Sequence, residues 1–382
     1  MNSAFGDVLS QHTASERISN PESETFVTLR LNGNGAVRRK VGEGKTPQAF
    51  SGYRVNAGQF IYSRIDARNG AFAIVPSELD GAVVSKDFPV FDIDTSLVDP
   101  RYLLSFVTTT TFIDGIRRLS FGATNRQRVK EEIFLRLPLV LPPLNEQRRI
   151  AAILDKADEL RTKRRQALAQ LEILTQSIFH SMFGDPIRND RNWRTVRLDQ
   201  LGRITTGNTP SRAVDSNFGD FIEWIKTDNI NIPRATLSPA SEGLSETGAA
   251  KGRIVEPGSV LMTCIAGSPN VIGNVAIADR RVAFNQQINA FTPNEGPTYY
   301  WYGLLLGIKR SVQAASTGGM TGMVSKSTLA AIDAIETPLE LQQTFATRVA
   351  AVERLKESHR KHLAELDALF ASLQHRAFKG EL

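Results

Sequence analysis

The chain has 382 residues, 41% of them hydrophobic, and a formal net charge of +6. This length predicts at least two domains, and this apolar fraction argues against wholesale disorder. No run approaches the ~20 apolar residues of a membrane span, and the N-terminus lacks the apolar core of a signal peptide. The single cysteine, Cys264, excludes an intrachain disulfide framework. We expect a cytoplasmic protein whose positive charge favours polyanionic partners.

Residues 1–142, here called the first domain, contain short alternating apolar runs between Gly, Pro, Asn and Asp, a pattern typical of strands. The runs QFIYSRI, AFAIVP and FPVFDI are predicted strands, and the Asn-Gly pair in RNGAF predicts a tight turn. The later stretch DPRYLLSFVTTTTFIDGIRRL is predicted to be helical.

Residues 143–184 are predicted to form one long amphipathic helix. Its apolar residues recur mostly every three or four positions, which predicts a coiled-coil seam. The candidate seam and partner residues of this helix are Ile150, Leu160, Leu168 and Leu171. Gly184, suited to a left-handed C′ position, and Pro186 predict where the helix stops.

Residues 185–336, the second domain, repeat the alternating pattern, with predicted strands in SVLMTCI, NVAIA and INAF. The stretch TYYWYGLLLGIKRSVQAA is again predicted to be helical. Residues 337–382 are predicted to form a second long amphipathic helix, with a T-x-x-E capping box predicted at Thr337 and Glu340. Its candidate seam and partner residues are Leu355, Leu363 and Leu366.

The two long helices align with each other at a constant offset of 195 residues, as Pro143 with Pro338. The domains before them align more faintly at an offset near 200, as Gly58 with Gly258. The predicted fold is therefore α+β: two similar mixed α/β domains separated by two long helices that pair as an antiparallel coiled coil, with a pseudo-two-fold internal repeat. At ~1.5 Å per residue, each helix would be ~60 Å long and would hold the domains at a fixed separation. The alternative is two independent core helices, one in each half.

No motif supports an active site, and we expect no catalytic, cofactor-binding or metal-binding residues. GEGKT at Gly42–Thr46 lacks the first glycine of a phosphate loop, because Arg39 stands there. His359 and His362 have helical spacing, but no third ligand accompanies them, so a solvated helix face is the simpler interpretation.

Matching positions of the two domains share apolar residues but differ in polar ones, as Arg64 against Cys264 and Lys86 against Gln286. The same framework with different polar side chains is expected of two readers of different DNA sequences, because Arg, Lys, Asn and Gln can pair with base edges. The candidate DNA-binding residues are Arg64, Arg68, Lys86, Arg126, Arg212, Lys226, Asn285, Gln286 and Lys326. For each of them, an ordinary solvated surface group remains the alternative.

Three stretches carry a family resemblance. PLVLPPLNEQRRIAAILDKADELRTKRRQALAQLEILTQSIFHSMFGDP resembles the central region of the specificity subunit of type I restriction-modification systems. WRTVRLDQLGRITTGNTPSR resembles the opening of the second target-recognition domain in that family, and FNQQINAF its later strand region.

The resemblance spans nearly the whole chain and implies two target-recognition domains, each reading half of a bipartite asymmetric DNA site. It also implies two modification subunits that carry S-adenosylmethionine, and restriction subunits that use ATP and Mg²⁺. Cleavage and methylation would then belong to the partners and not to this chain.

Two features depart from the family pattern. The first domain lacks the Trp193-type entry, so its first strand or edge is expected to be built differently. Gln343 and Thr344 replace the Arg148–Arg149 pair, so the two helix starts are expected to contact partners differently. Two other hypotheses stay open: a coiled-coil adaptor for non-DNA ligands, and a DNA enzyme with an unrecognised site.

Overall fold

The computed structural model describes residues 2–40, 48–119, 128–231, 234–318 and 321–382. The chain divides into two compact units, unit 1 (residues 1–163 and 363–382) and unit 2 (residues 164–362). The predicted domain limits lie at the ends of the long helices, whereas this division falls inside both helices. The candidate DNA-binding residue Arg126 lies outside the described residues, and so does the stretch Gly42–Thr46, which was not predicted to be a phosphate loop. Within the described part of the chain, no helix is long and apolar enough to cross a membrane.

Unit 1 contains eleven short strands among its described residues. They are β1 Asn2–Ala4, β2 Leu9–Gln11, β3 Glu16–Ile18, β4 Val27–Leu29, β5 Ala36–Arg38, β6 Phe50–Arg54, β7 Phe60–Tyr62, β8 Phe72–Ile74, β9 Val83–Ser85, β10 Val90–Ile93 and β11 Pro138–Val140. Its helices are α1 Pro100–Val107, α2 Thr110–Leu119, α3 Glu131–Leu135 and the first half of α4 Leu144–Phe183.

The central sheet of unit 1 has the strand order β2-β10-β7-β8, and all neighbours are antiparallel. Two smaller sheets, β3-β6-β9 and β4-β5, accompany it. The predicted Asn-Gly turn lies between β7 and β8, where Gly70 has the positive φ of 75° that the turn requires.

The stretch of the first domain that was predicted to be helical contains two helices, α1 and α2. The hydroxyl of Thr108 donates to the carbonyl of Leu104, and Thr109 Oγ1 accepts from the N–H of Phe112 and so caps α2. These local hydrogen bonds compete with helix continuation, which is why two successive threonines interrupt it.

Unit 2 repeats this arrangement with further strands. They are β12 Arg194–Arg197, β13 Gly202–Thr206, β14 Phe218–Ile225, β15 Gly243–Leu244, β16 Ile254–Val255, β17 Val260–Thr263, β18 Ile265–Ala266, β19 Val275–Ile277, β20 Val282–Phe284, β21 Ile288–Pro293, β22 Gly322–Met323 and β23 Asp333–Glu336. Its helices are α5 Leu198–Leu201, α6 Glu246–Lys251, α7 Thr298–Gly307, α8 Lys309–Ala314, α9 Lys326–Ala330 and the first part of α10 Leu339–Ala377.

The central sheets of the two units have the same topology, because β13-β21-β17-β19 is antiparallel throughout and matches β2-β10-β7-β8 strand for strand. The repeat also extends to single hydrogen bonds. The N–H of Arg64 donates to the carbonyl of Asp87, as that of Cys264 does to Gln287. The predicted internal repeat and fold class are therefore confirmed.

The first strand of unit 1 is not built differently, as the missing tryptophan had suggested. Strand β1 pairs antiparallel with β11, opposing Asn2 and Val140, just as β12 pairs with β23, opposing Thr195 and Ile335. Backbone pairing alone fixes this strand, so its register does not need the aromatic side chain.

Both long helices begin with the same side-chain hydrogen bond. Gln147 Nε2 donates to the carbonyl of Pro142 at 2.8 Å, and Gln342 Nε2 donates to that of Thr337 at 2.9 Å. The capping box predicted at Thr337 is wrong, because its buried hydroxyl has no hydrogen-bond partner in the described chain. The glutamine instead joins each domain to its helix.

In unit 1, the start of α4 runs antiparallel to the end of α10. Arg149 donates to the carbonyl of Leu382 at 2.6 Å, and Arg161 pairs with Asp367 at 2.7 Å. Ile150, Ala151, Leu154 and Ala377 are buried with the strands and α1 in one core. The helix ends therefore belong to the core of this unit.

In unit 2, the end of α4 runs antiparallel to the start of α10. Lys356 pairs with Glu172 at 3.3 Å, and Arg164 contacts His359 Nδ1 at 3.1 Å. The rings of Phe179 and Phe345 lie 5.4 Å apart in the core of this unit. At offset 195, the Arg161–Asp367 pair of unit 1 falls on Lys356–Glu172, so the repeat includes the ion pairs between the helices.

Candidate nucleic-acid interface

The first domain gathers charged side chains beside the end of β7. Arg64 forms an ion pair with Glu131, the first residue of α3, and Gln11 donates to the same carboxylate at 3.5 Å. Arg64, Glu131, Gln11, Arg128 and Lys130 line a cavity of about 680 Å³. Glu132 and Ile133 also line this cavity, so its lining contains three cations and two carboxylates.

Burial is the largest single influence on the pKa of Arg64 and lowers it, but the hydrogen bond to Glu131 and the negative charges of Glu131 and Asp87 together raise the pKa above its ordinary value. Its guanidinium thus stays charged while it is partly enclosed. Arg64 Nε is buried and has no hydrogen-bond partner among the described residues. An N–H group without a partner in the chain can donate a hydrogen bond to an acceptor atom of a ligand.

Lys86 lies exposed in the turn after β9, and its neighbour Asp87 pairs with Arg128 at 3.1 Å. Arg128 also lines the cavity that contains Arg64. Lys86 is thus the sequence neighbour of Asp87, which pairs with a residue of this cavity. Arg68 lies in a short 3₁₀ turn, where its carbonyl accepts from Arg117 Nε at 3.0 Å. It is not among the residues lining the Arg64 cavity.

The second domain brings Arg212 and Lys226 together on one carboxylate. Arg212 Nη2 lies 3.0 Å from Glu242 Oε2, and Lys226 Nζ lies 2.6 Å from Glu242 Oε1. The Arg212 guanidinium lies 5.1 Å from the ring centre of Phe218 and 5.2 Å from that of Trp224. Hydrogen bonds from Lys226 and Arg212 lower the pKa of Glu242, so the carboxylate is ionised.

Asn285 and Gln286 are neighbours with different environments. Asn285 is 5% exposed, and its side chain bonds both the amide N–H and the side chain of Gln287. Gln286 is exposed and accepts from the hydroxyl of Thr209. The structure thus gives Asn285 a loop-supporting position and leaves Gln286 on the surface. Lys326 is exposed at the start of α9.

Sequence reasoning missed the acidic residues of both clusters. Glu131 and Lys326 are equivalent at offset 195 and begin equivalent helices, so the first domain has an anion where the second has a cation. Glu131 pairs with Arg64, whose equivalent, Cys264, is buried and uncharged. The offset of 195 residues that aligns the two long helices also aligns Glu131 with Lys326, so it could have revealed this charge reversal.

The long helices carry the candidate partner residues with mixed exposure. Ile150 is buried. Leu160 and Leu355, which are equivalent to each other in the repeat, are 43% and 47% exposed. Four more are half-buried: Leu168, Leu171, Leu363 and Leu366. In unit 1, a groove of about 470 Å³ lies between α4 and α10; it is lined by Arg149, Ala152, Ile153, Lys156, Ala157, Leu160, Leu369 and Leu373.

The family model described as "Type I restriction modification DNA specificity domain" matches residues 27–172 and 190–368. The HindI specificity subunit of Haemophilus influenzae, a type I restriction enzyme subunit, is 22% identical to the chain, over 78% of the chain and 81% of that protein.

Two solved structures share the fold with a TM-score of 0.58. One is the S subunit of a type I restriction-modification system from M. genitalium, 12% identical, with 99% of this chain and 96% of that chain covered. The other is a chain from a structural study of complex assembly and conformational transition of the type I R-M system, 18% identical, with 100% and 98% covered. The match to two copies of the family domain agrees with the two repeated units, and the chain belongs to the type I restriction-modification DNA specificity family.

Proposed function

We propose that this chain is the DNA sequence-specificity subunit of a type I restriction-modification complex. Each of its two domains reads one half of a bipartite, asymmetric DNA site, and the paired helices set the spacing between the halves. The family match supports this function over a coiled-coil adaptor for non-DNA ligands.

One observation carries the proposal of two different half-sites. The two central sheets share their topology, and Arg64 and Cys264 make the same backbone hydrogen bond, yet these side chains differ in charge. The equivalent helix starts differ as well, with Glu131 in one domain and Lys326 in the other. A shared framework with opposite charges at matching positions is expected to favour different base sequences.

The helices supply a surface for protein partners. The groove of unit 1 is mainly apolar, exposes Leu160 and has Arg149 and Lys156 among its lining residues. Such a surface suits an amphipathic helix with acidic flanks. We assign it to the modification subunits, of which two are expected per complex, with restriction subunits joining them.

In this proposal the chain recognises DNA and does no chemistry. S-adenosylmethionine is expected on the modification subunits, and ATP with Mg²⁺ on the restriction subunits. The side chains of the two described clusters supply charge and hydrogen bonds suited to recognition, as phosphate and base contacts require.

Methylome sequencing of the source cell, with and without this gene, tests the proposal. We expect adenine methylation at one split sequence to disappear when the gene is removed and to return when it is restored. The purified chain with its modification subunits should methylate a duplex carrying that sequence, and its binding should weaken steeply with salt through counterion release.

A matched control duplex keeps both half-sites and changes only the length of the spacer. The proposed complex should not methylate it, because in this proposal the paired helices set a single spacing between the two half-sites. Equal methylation of random duplexes would contradict the proposal, and a salt-insensitive complex that binds no duplex would favour the adaptor function.

A further inference from the structure

The Arg212, Lys226 and Glu242 side chains form a closed bridge on the second domain. Each oxygen of the Glu242 carboxylate receives one cation, at 3.0 Å from Arg212 and 2.6 Å from Lys226. The bridge lies at the surface, since these side chains are 57%, 27% and 40% exposed for Arg212, Lys226 and Glu242. Solvent and a large ligand can therefore reach it.

Aromatic rings hold the two cations in place. Trp224 is 3% exposed, and both Arg212 and Lys226 lie over its ring, at 5.2 Å and 5.4 Å from the centre. Phe218 flanks Arg212 on another side. The cations are thus positioned by the rings as well as by the carboxylate, and they would stay near each other if Glu242 were replaced.

The ligand that this pair of cations would take is a phosphate group. Two non-bridging phosphate oxygens can accept from one guanidinium and one ammonium, as the two carboxylate oxygens of Glu242 do here. Glu242 therefore takes up the contacts that a phosphate at this place would need. The carboxylate belongs to the chain, so it is present whatever the DNA sequence.

We propose that Glu242 competes with the DNA backbone for Arg212 and Lys226 in the second domain. The two cations leave Glu242 and bind phosphate only when the correct half-site is bound. This inference rests on the proposed function and adds a device for discrimination. On non-cognate DNA the bridge stays closed, and two cations are withheld from sequence-independent binding. On the cognate half-site, base contacts elsewhere in the domain offset the cost of opening it.

The test uses the full-length chain assembled with its modification subunits and two duplexes. One carries the split sequence found by methylome sequencing, and the other has its second half scrambled. Glu242→Gln should bind the scrambled duplex up to about tenfold more tightly at low salt, with a salt slope steeper by about 1 to 2, because up to two phosphate contacts are added. Binding of the cognate duplex should change much less, so discrimination falls.

Three further variants separate this effect from a general change in charge or folding. Glu246→Gln makes the same change in net charge four residues away, and Glu246 has no ion pair among the described side chains, so its discrimination should match the wild type. Adding Arg212→Gln to Glu242→Gln should reverse most of the gain on the scrambled duplex. Glu242→Asp keeps the charge but is too short to bridge both cations, and should lie between wild type and Glu242→Gln.

Three outcomes are decisive. Looser discrimination in Glu242→Gln that Glu246→Gln does not share supports the competitor. Equal behaviour of these two variants, or weaker binding of both duplexes by Glu242→Gln and Glu242→Asp, overturns it and leaves the proposed function standing. Absence of any sequence preference in the wild-type complex overturns the proposed function, and this inference with it.

Discussion

Arg64 and Cys264 occupy the same hydrogen-bonded position in two domains of one chain, but their surroundings differ. In the first domain the arginine is partly exposed, is paired with Glu131 and lines a cavity together with Arg128 and Lys130. In the second domain the cysteine is 1% exposed, and burial raises the pKa of its thiol to about 11. The candidate cations of the second domain, Arg212 and Lys226, lie together elsewhere, beside Trp224.

The repeat therefore preserves the backbone framework of the two domains but not the position of their charged side-chain clusters. Backbone hydrogen bonds at Arg64 and Cys264 depend on the sheet and persist with any side chain. Side chains on that framework are free to vary in charge, because each cation needs only a carboxylate within reach. Two domains of common topology can therefore present different surfaces to DNA.

The largest effect is expected where equivalent residues of the two units differ in burial. Phe183 is fully buried against the rings of Phe179, Tyr300 and Phe345, whereas its equivalent, Phe378, lines an open cavity of about 540 Å³. Phe183→Ala should destabilise unit 2 by about 3–5 kcal/mol, and Phe378→Ala should destabilise unit 1 by less than half of that. Hydrogen exchange of peptides from each unit measures both, and equal losses would contradict the comparison.

A smaller effect is expected at the equivalent ion pairs between the helices. Lys356 is 2% exposed and contacts Glu172 and Glu353, whereas Arg161 is 18% exposed and contacts the more exposed Asp158 and Asp367. Lys356→Gln should cost roughly 2–3 kcal/mol, because it leaves a largely buried carboxylate unpaired, and Arg161→Gln about 1 kcal/mol.

Urea unfolding at neutral pH would compare the two variants. Lys356→Arg is the control, since it keeps the positive charge and should recover most of the loss. A larger loss in Arg161→Gln than in Lys356→Gln would show that exposure of the carboxylates does not decide the cost.

Variants of the exposed polar residues should separate the two half-sites. Lys86→Ala should change binding or preference at the first half only, and Gln286→Ala at the second half only, by about 1–3 kcal/mol if the side chain contacts a base. A phosphate contact would instead reduce the salt slope by about 0.9 without a change in preference. Binding of the assembled complex to duplexes mutated in one half at a time distinguishes these results.

Asn285→Ala is the matched comparison for Gln286→Ala. Its side chain is buried and supports the loop through Gln287, so we expect a loss of thermal stability together with any change in DNA binding. Changes spread equally over both half-sites for Lys86→Ala or Gln286→Ala would contradict the assignment of one domain to each half.

The smallest effect concerns pH and the Arg164–His359 contact. Burial, with the nearby charges of Arg164 and His362, lowers the pKa of His359 in the folded chain. A histidine with a lowered pKa disfavours protonation in the folded state, so its stability contribution is complete above the unfolded pKa of about 6.5 and declines as pH falls below it.

His359→Gln should therefore flatten the dependence of the unfolding temperature on pH between about 5 and 7, where a histidine changes charge. His375→Gln, a change at an exposed histidine of the same helix, serves as the control and should leave that dependence unaltered. If the unfolding temperature of His359→Gln depended on pH as it does in the wild type, protonation of His359 would not contribute to the pH dependence of stability.

Much of the architecture was predictable because the offset of 195 residues links distant parts of the chain. It predicted both long helices to within two residues at their starts, and it predicted the antiparallel pairing. The strands around Phe60, Phe72 and Val90 followed from alternating hydrophobicity, although they are shorter than the predicted runs. Local pattern and repeat were sufficient for these features.

The polar details were not predictable, since they depend on which side chains meet after folding. Glu131 is 67 residues away in sequence from its partner Arg64, and Glu242 is 16 residues away from its partner Lys226. No local sequence pattern indicates either pair. The capping box at Thr337 failed for a similar reason, because Gln342 donates to the carbonyl of that residue and fixes the helix start. The predicted contributions of individual DNA-binding residues stay predictions.

Arg164 contacts His359, the residue that stands at its own equivalent position 195 places further on. In a dimer of two identical half-length chains, such a position would meet a copy of itself, and two arginines there would repel. A single chain that contains both halves escapes this restriction, because its copies can diverge independently. A chain that contains both halves can thus form the asymmetric Arg164–His359 contact, which two identical halves could not form. This contact distinguishes the first half of the chain from the second.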